Sequence, residues 1–313
     1  MKNSIRIREN EIMLMIILAV LAVIFSVLSK SFFTINNIMQ IFVQMAELSL
    51  LTLGMSICII SGGFDLSIGA MTGLGSVSLA LLICAEINMW ISIVLVFFML
   101  VVCGMFNGFI VGYLNIDSML ATLGTSSLFT GIALLVSKGV AVSGLPEEFF
   151  VFGQGYVGVV PYQSIILSVV LTVSVVLLNY TKWGRNIHLI GSNAESAHFA
   201  GIDLKKNTMF VFVYSAVMSF FASLILTSRL STGRADLGNS YALQSVSAAI
   251  FGGVDIGTGE GNLIGAILGV AIFAVISNGL NMLDFSQYIQ QIVIGFTLIA
   301  VLSYKKWKSN INK

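Results

Sequence analysis

Few side chains in this 313-residue sequence could do chemistry. The two histidines, His188 and His198, fall in one polar loop, so no apolar stretch carries a His to serve a Ser or a metal. Cys58, Cys84 and Cys103 lie singly inside apolar runs, with neither a disulfide framework nor metal-ligand spacing. No G-x-x-x-x-G-K-[ST] stretch is present, so any ATP must be hydrolysed by another polypeptide. No catalytic, cofactor-binding or metal site is expected in this chain. Acids in apolar surroundings are few: Glu47 inside a run, and Asp65, Glu86 and Asp117 near the ends of others. Such acids mark ion or proton routes by default. No Lys or Arg lies well inside an apolar run to partner Glu47, which is expected to bond Ser or Thr or to face a cavity. Hydroxyl and amide groups inside apolar runs could line a polar path. Candidates are Asn107, Thr122, Thr125, Ser126, Gln244, Ser247, Asn278 and Asn281. Helix–helix hydrogen bonding is the alternative for each.

The elements that must position these groups are membrane helices. Hydrophobic residues make up 57% and charged residues 9%, and mean hydropathy is +1.00, whereas soluble domains are about a quarter charged. One water-soluble core could not hide so much apolar surface. A net charge of +1 gives no field to collect nucleic acid. The expectation is an all-α polytopic membrane protein. Runs of about 18 to 22 residues fit a ~30 Å bilayer core. They fall at 12–29, 40–60, 66–85, 91–113, 118–136, 162–180, 208–228, 240–253, 263–282 and 288–303, ten in all. The first run is long for a signal peptide and lacks a small-residue cleavage site, so it reads as an uncleaved span. Eleven of the fifteen Lys and Arg lie before the first span, at 181–207, or after the last. These are Lys2, Arg6, Arg8, Lys182, Arg185, Lys205, Lys206, Lys305, Lys306, Lys308 and Lys313. Ten spans put all three segments on one side, which the positive-inside rule makes the cytoplasm, with both termini. Trp90, Trp183 and Trp307 fall at interface positions.

One pattern, I-x-G-G-x-D-[LI]-x-x-G, occurs at 60–69 and again at 250–259. Repeated elements in two halves are typical of transporters. Double glycine beside Asp would end a helix, with Asp65 and Asp255 capping the helices that follow; Asp65 is also a candidate for the solute path. Gly104, Gly108 and Gly112 form one small-residue face, and Gly257, Gly261, Gly265 and Gly269 another, both expected to pack closely on neighbouring helices. The long cytoplasmic connection, 181–207, admits a short helix over 194–200. Ser192 or Asn193 would cap it, Glu195 would sit in its first turn, and Gly201 would end it.

Landmarks recur in order along the chain: Gly62-Gly63-Phe64-Asp65-Leu66-Ser67-Ile68-Gly69, Thr122-Leu123-Gly124-Thr125, Gly184-Arg185-Asn186, Ile190-Gly191-Ser192-Asn193, Glu195-Ser196-Ala197 with Gly201, Gly252-Gly253, Gly261 to Gly265, and Asn278-Gly279-Leu280-Asn281. With these the sequence resembles the permease subunits of bacterial ATP-binding-cassette importers for ribose and related simple sugars, including autoinducer-2. Ser196 stands where the family usually has alanine, and residues 117–120 lack its usual proline. Arg234 to Gly238 looks most like autoinducer-2 permeases. The resemblance implies a single permease domain over 1–313 of the type II importer kind, in the bacterial cell membrane. Ser192, Asn193, Glu195, Ser196, Ala197 and Gly201 would belong to a coupling helix on a separate cassette ATPase, which would hold the ATP and Mg. It also implies a second permease copy or paralogue, and an extracytoplasmic binding protein that Lys30, Lys138, Arg229 and Arg234 could meet. A stand-alone carrier driven by an ion gradient is the rival reading.

Overall fold

A computed structural model describes residues 2–286, 288–290, 292–297, 299 and 303, with side chains from Glu9 onward. In chain order the elements are α1 (Lys2–Leu28), α2 (Ile35–Ile60), α3 (Ile68–Cys84), α4 (Met89–Gly112), α5 (Ser118–Ser137), β1 (Val142–Ser143), a 3-10 turn (Glu147–Phe150), α6 (Val151–Gln154), β2 (Tyr156–Val157), β3 (Val160–Pro161), α7 (Tyr162–Tyr180), α8 (Lys182–Ser192), α9 (Ala194–Phe199), α10 (Leu204–Leu230), β4 (Thr232–Gly233), α11 (Tyr241–Phe251) and α12 (Leu263–Met282). Helical residues resume over 288–290 and 292–297.

Seven of these helices are long and apolar enough to cross a membrane: α1 from Glu9, α2, α4, α5, α7, α10 and α12. Two predicted spans are shorter. At ~1.5 Å per residue, α3 rises about 25 Å and α11 only about 16 Å, roughly half a bilayer core. The predicted span 288–303 lies partly outside the described residues. So do Lys305, Lys306, Trp307, Lys308 and Lys313, and the side chains of Lys2, Arg6 and Arg8.

The helices are sorted by how apolar they are all round. Every residue of α2 from Met45 to Ile60 is buried, and α10 packs against α4, α2 and α3. The outer helices instead present Val102, Leu135 and Val169 at 59% exposure or more. Apolar surface on that scale calls for lipid around it. The glycine face of α4 packs on α10 as expected: a Cβ on Gly108 would lie 2.6 Å from the Met209 Cα. Gly265 and Gly269 pack on Ala248 of α11 and on Gly252, which ends it. Gly257 and Gly261 precede α12, so the second glycine face is shorter than its spacing suggested.

Contacts divide the loops between the two ends of the bundle. One end gathers the turn after α2, the start of α5, the α8–α9 segment and the turn after α11. At the other end β1 pairs with β4, Gln154 bonds Ser228, Arg229 and Ser231, and Asn37 bonds Asn278. From β4 the chain runs irregularly along α3, where a Cβ on Gly73 or Gly69 would overlap the carbonyls of Ala235 or Gly238. Non-helical backbone survives at such depth only against protein or beside a water-filled space.

Gly108→Ala should therefore lower stability by about 1–3 kcal/mol through overpacking. Gly131→Ala, where a Cβ meets open space, should be neutral or stabilising. Thermal unfolding of the two purified variants in detergent checks the contrast.

Candidate functional site

The segment 181–203 is built from overlapping caps. Thr181 Oγ1 accepts the Gly184 N–H at 3.2 Å and starts α8. Asn193 Oδ1 accepts the Ser196 N–H at 2.8 Å and starts α9, while Ser192 Oγ donates to the Leu189 carbonyl of α8. Asn193 is thus the cap. Gly201, at φ +81°, ends α9, with the Gly201 and Ile202 N–H groups closing on the His198 and Ala197 carbonyls. Asp203 then caps α10 through the Lys206 N–H. That bond, with the nearby Lys206 ammonium, holds its carboxyl below the usual range. Sequence reasoning found α9 within one residue but missed α8. Its signal was the buried face Gly184, Ile187, Ile190 and Gly191, at helical spacing.

On α9, Ala197 is buried, whereas Glu195, Ser196, His198 and Phe199 are exposed. Phe199 reaches 82% exposure, an apolar knob on a polar surface. Inward of this knob, α8 is wedged between the two repeated turns. A Cβ on Gly191 would overlap the Ile60 carbonyl and lie 3.0 Å from the Gly259 Cα. His188 Nδ1 donates to the Gly259 carbonyl at 2.7 Å; the acceptor fixes the proton on Nδ1.

Both turns end their helices in the same way. After α2, Gly62 takes φ +90°, and the Gly62 and Gly63 N–H groups bond the Ile59 and Cys58 carbonyls. After α11, Gly253 takes φ +95°, and the Gly253 and Val254 N–H groups bond the Ile250 and Ala249 carbonyls. The repeat is one residue out of register: the left-handed position is the first glycine in one copy and the second in the other. The aspartates diverge too. Asp65 is fully buried, and its Oδ1 accepts the Ser67 N–H at 3.0 Å, as a cap would. It also accepts the Ser67 and Ser215 hydroxyls, each at 2.6 Å. Asp255 is exposed and does not cap α12, because the turn continues through Gly257 and Gly259 at positive φ. Asn262 caps it instead.

The structure brings together three of the candidate path residues, Asp65, Asn107 and Thr122, as a lock on the first turn. Asn107 Nδ2 donates to Ser67 Oγ at 2.7 Å. Thr122 Oγ1 accepts the Leu66 N–H at 3.0 Å, and Ser118 Oγ accepts that of Phe64. Thr125 and Ser247 are buried and bond their own helices. Ser126 is half-buried and Asn281 is exposed. Asn278 exchanges amide bonds with Asn37 at the far end. Gln244 lines a cavity.

One expectation is corrected: Glu47 does have a basic partner. α10 continues to Leu230, which places Arg229 in its last turn. Arg229 Nε lies 2.7 Å from Glu47 Oε1, with Glu47 fully buried and the arginine side chain 28% exposed. Arg234 forms a two-bond pair with Asp236, and Lys30 and Lys138 are exposed.

Residues 37–302 match the family described as branched-chain amino acid transport system, permease component. The chain belongs to this family. The permease is 34% identical to the ribose import permease protein RbsC of Bacillus subtilis (strain 168), over 92% of its own length and 91% of that protein's. It is 33% identical to the D-allose transport system permease protein AlsC of Escherichia coli (strain K12), over 92% and 89%. It is 29% identical to the L-arabinose transport system permease protein AraH of the same strain, over 96% and 92%. No solved structure matches it. With seven helices among the described residues long and apolar enough to cross a bilayer, the permease is a multi-pass membrane protein.

Substitutions at Asp65 and at the Glu47–Arg229 pair test the permease's buried charges by thermal unfolding. Asp65→Ala removes the acceptor for two buried hydroxyls, at about 1–3 kcal/mol each, while Asp65→Asn should lose less. Glu47→Gln should cost roughly 2–4 kcal/mol, less than the ~3–5 of a sealed pair because Arg229 keeps some solvent. Combining it with Arg229→Gln should recover part of that loss.

Proposed function

We propose that the permease is the membrane-spanning subunit of an ATP-binding-cassette importer that carries a small sugar into the cytoplasm. Ribose-like sugars and sugar-like solutes such as autoinducer-2 are its class. End-to-end likeness to the ribose, allose and arabinose permeases supports that class. The observation that carries the mechanism is the wedge at Gly191, which ties an exposed helix to both repeated turns at once. A cassette ATPase, holding ATP and Mg, grips α9 through Glu195, Ser196 and Phe199 from the cytosol. Ser196 is exposed, so a hydroxyl in place of a methyl is accommodated there. Displacement of α9 passes through α8 to the ends of α2 and α11, and the spans switch access. Ten spans with both termini in the cytoplasm fit the sorting of loops between the two ends. A second copy or paralogue completes the pore. An extracytoplasmic binding protein, steered by Lys30, Lys138 and the Arg234 region, delivers the solute. This chain does no covalent chemistry.

The Glu47–Arg229 pair favours one rival, a carrier driven by an ion gradient, because such a carrier needs a paired charge in its bundle. Reconstitution separates the two. Uptake should require ATP, the cassette ATPase and the binding protein. Glu195→Lys, or Gly201→Pro at a φ proline cannot adopt, should abolish transport and ATPase association but leave membrane insertion intact. Uptake by this chain alone under a proton or sodium gradient would overturn the reading, as would normal transport by both variants.

A further inference from the structure

α11 spans only about half the bilayer, and a cavity opens beside its first turn at Ser240, Tyr241 and Gln244. The cavity, of about 250 Å³, lies between α2, the end of α10, α11, α12 and the helical segment after it. Its polar wall is distinctive. Gln44, Gln244 and Gln290 come from three different helical segments, joined by Ser240 and Ser277, and each of these but Ser240 is only part-exposed. Every glutamine amide offers donors and an acceptor, and every serine hydroxyl does both. Arg229 also lines the space, with its charge offset by Glu47. Among the described residues, no other charged side chain lines it. Tyr241 and Phe273 supply ring surface beside these groups. The volume is below the ~300–1,000 Å³ of drug-sized pockets and suits one small molecule.

We propose that this cavity is a solute-binding station in the permease for one small neutral polyhydroxylated molecule. Resting on the importer reading, the proposal deepens it by assigning the residues that handle the solute between delivery and release. Glutamines exchange hydrogen bonds with vicinal hydroxyls, the ring surfaces cover the C–H face, and the offset guanidinium donates without selecting an anion. The turn-locking cluster of Asp65, Asn107 and Thr122 does not line the station and bonds the first turn and α10 instead.

Thiol protection tests occupancy separately from transport. Gln244→Cys and Ser277→Cys are placed, one at a time, in a chain carrying Cys84→Ser and Cys103→Ser, assembled with its ATPase in vesicles. A charged methanethiosulfonate reagent should label both positions from the extracytoplasmic side. D-Ribose, D-allose or L-arabinose should slow labelling by about tenfold at saturation, and ribose 5-phosphate should not. Equal labelling rates with and without every sugar, no labelling at either position, or protection by the phosphate alone would overturn the proposal. In the second arm, Gln244→Leu and Gln290→Leu should each cut ATP-driven uptake by about tenfold. ATP hydrolysis stimulated by the binding protein should persist, which a misfolded chain could not sustain. Wild-type uptake by both leucine variants counts against the station. If the unmutated complex imports no sugar at all, the importer reading falls, and protection still decides the cavity.

Discussion

Three stretches of main chain meet at Gly191 with no side chain between them. The end of α2 at Ile60, α8 at Gly191 and the loop at Gly259 touch backbone to backbone, and the His188–Gly259 hydrogen bond closes the contact. Side chains can change rotamer to absorb a displacement. Backbone in van der Waals contact cannot, so motion at α8 must be shared by both turns. The turns are themselves stiff. Each ends its helix with a pair of crossed hydrogen bonds around a left-handed glycine, and the first is fastened to α3, α4, α5 and α10 by Asp65, Ser67, Asn107, Ser118, Thr122 and Ser215. The transport mechanism proposed above needs such a linkage, because it takes its power from a separate ATPase.

The second organising constraint is the bilayer. Backbone polar groups find no water in hydrocarbon, so any break in a helix must be enclosed by protein or open onto an aqueous space. Both solutions are used here. The irregular stretch after β4 lies against the glycine face of α3, while Arg234 and Asp236 on its other side are exposed and pair with each other. Where α11 falls short of a full crossing, the gap is lined by amides and hydroxyls. The Glu47–Arg229 pair sits at this boundary, with the carboxylate sealed and the guanidinium partly wet.

Features set by local sequence were legible before the structure. Apolar run length located the seven crossing helices, and the Asn193 and Gly201 signals located α9. The repeated glycines announced two helix ends, because a left-handed position selects glycine wherever it occurs. What sequence reasoning missed depends on partners far apart in the chain. Glu47 and Arg229 meet only once α2 and α10 are packed, and the span boundary drawn at 228 left the arginine outside its helix. Asn107 and Thr122 have the chemistry of path residues, yet packing turns them inward on the Asp65 turn. Gln44 and Gln290 went unremarked in apolar runs, since a single amide in a span has no pattern until three of them converge. α8 was read as loop because its polar face outweighed its four buried positions.

Pulsed electron-spin distance measurements on the assembled importer test the Gly191 linkage most directly. Spin labels at Ser196 on α9 and Thr258 in the second turn, both exposed, report whether the two move together. Labels at Ser196 and Lys138 report motion between the two ends of the bundle. Between the nucleotide-free and the ATP-trapped complex, the Ser196–Thr258 distance should stay the same while the Ser196–Lys138 distance changes. A Ser196–Thr258 distance that shifts as much as the other would mean that α9 slides on the turns, and that the wedge at Gly191 is not the transmission.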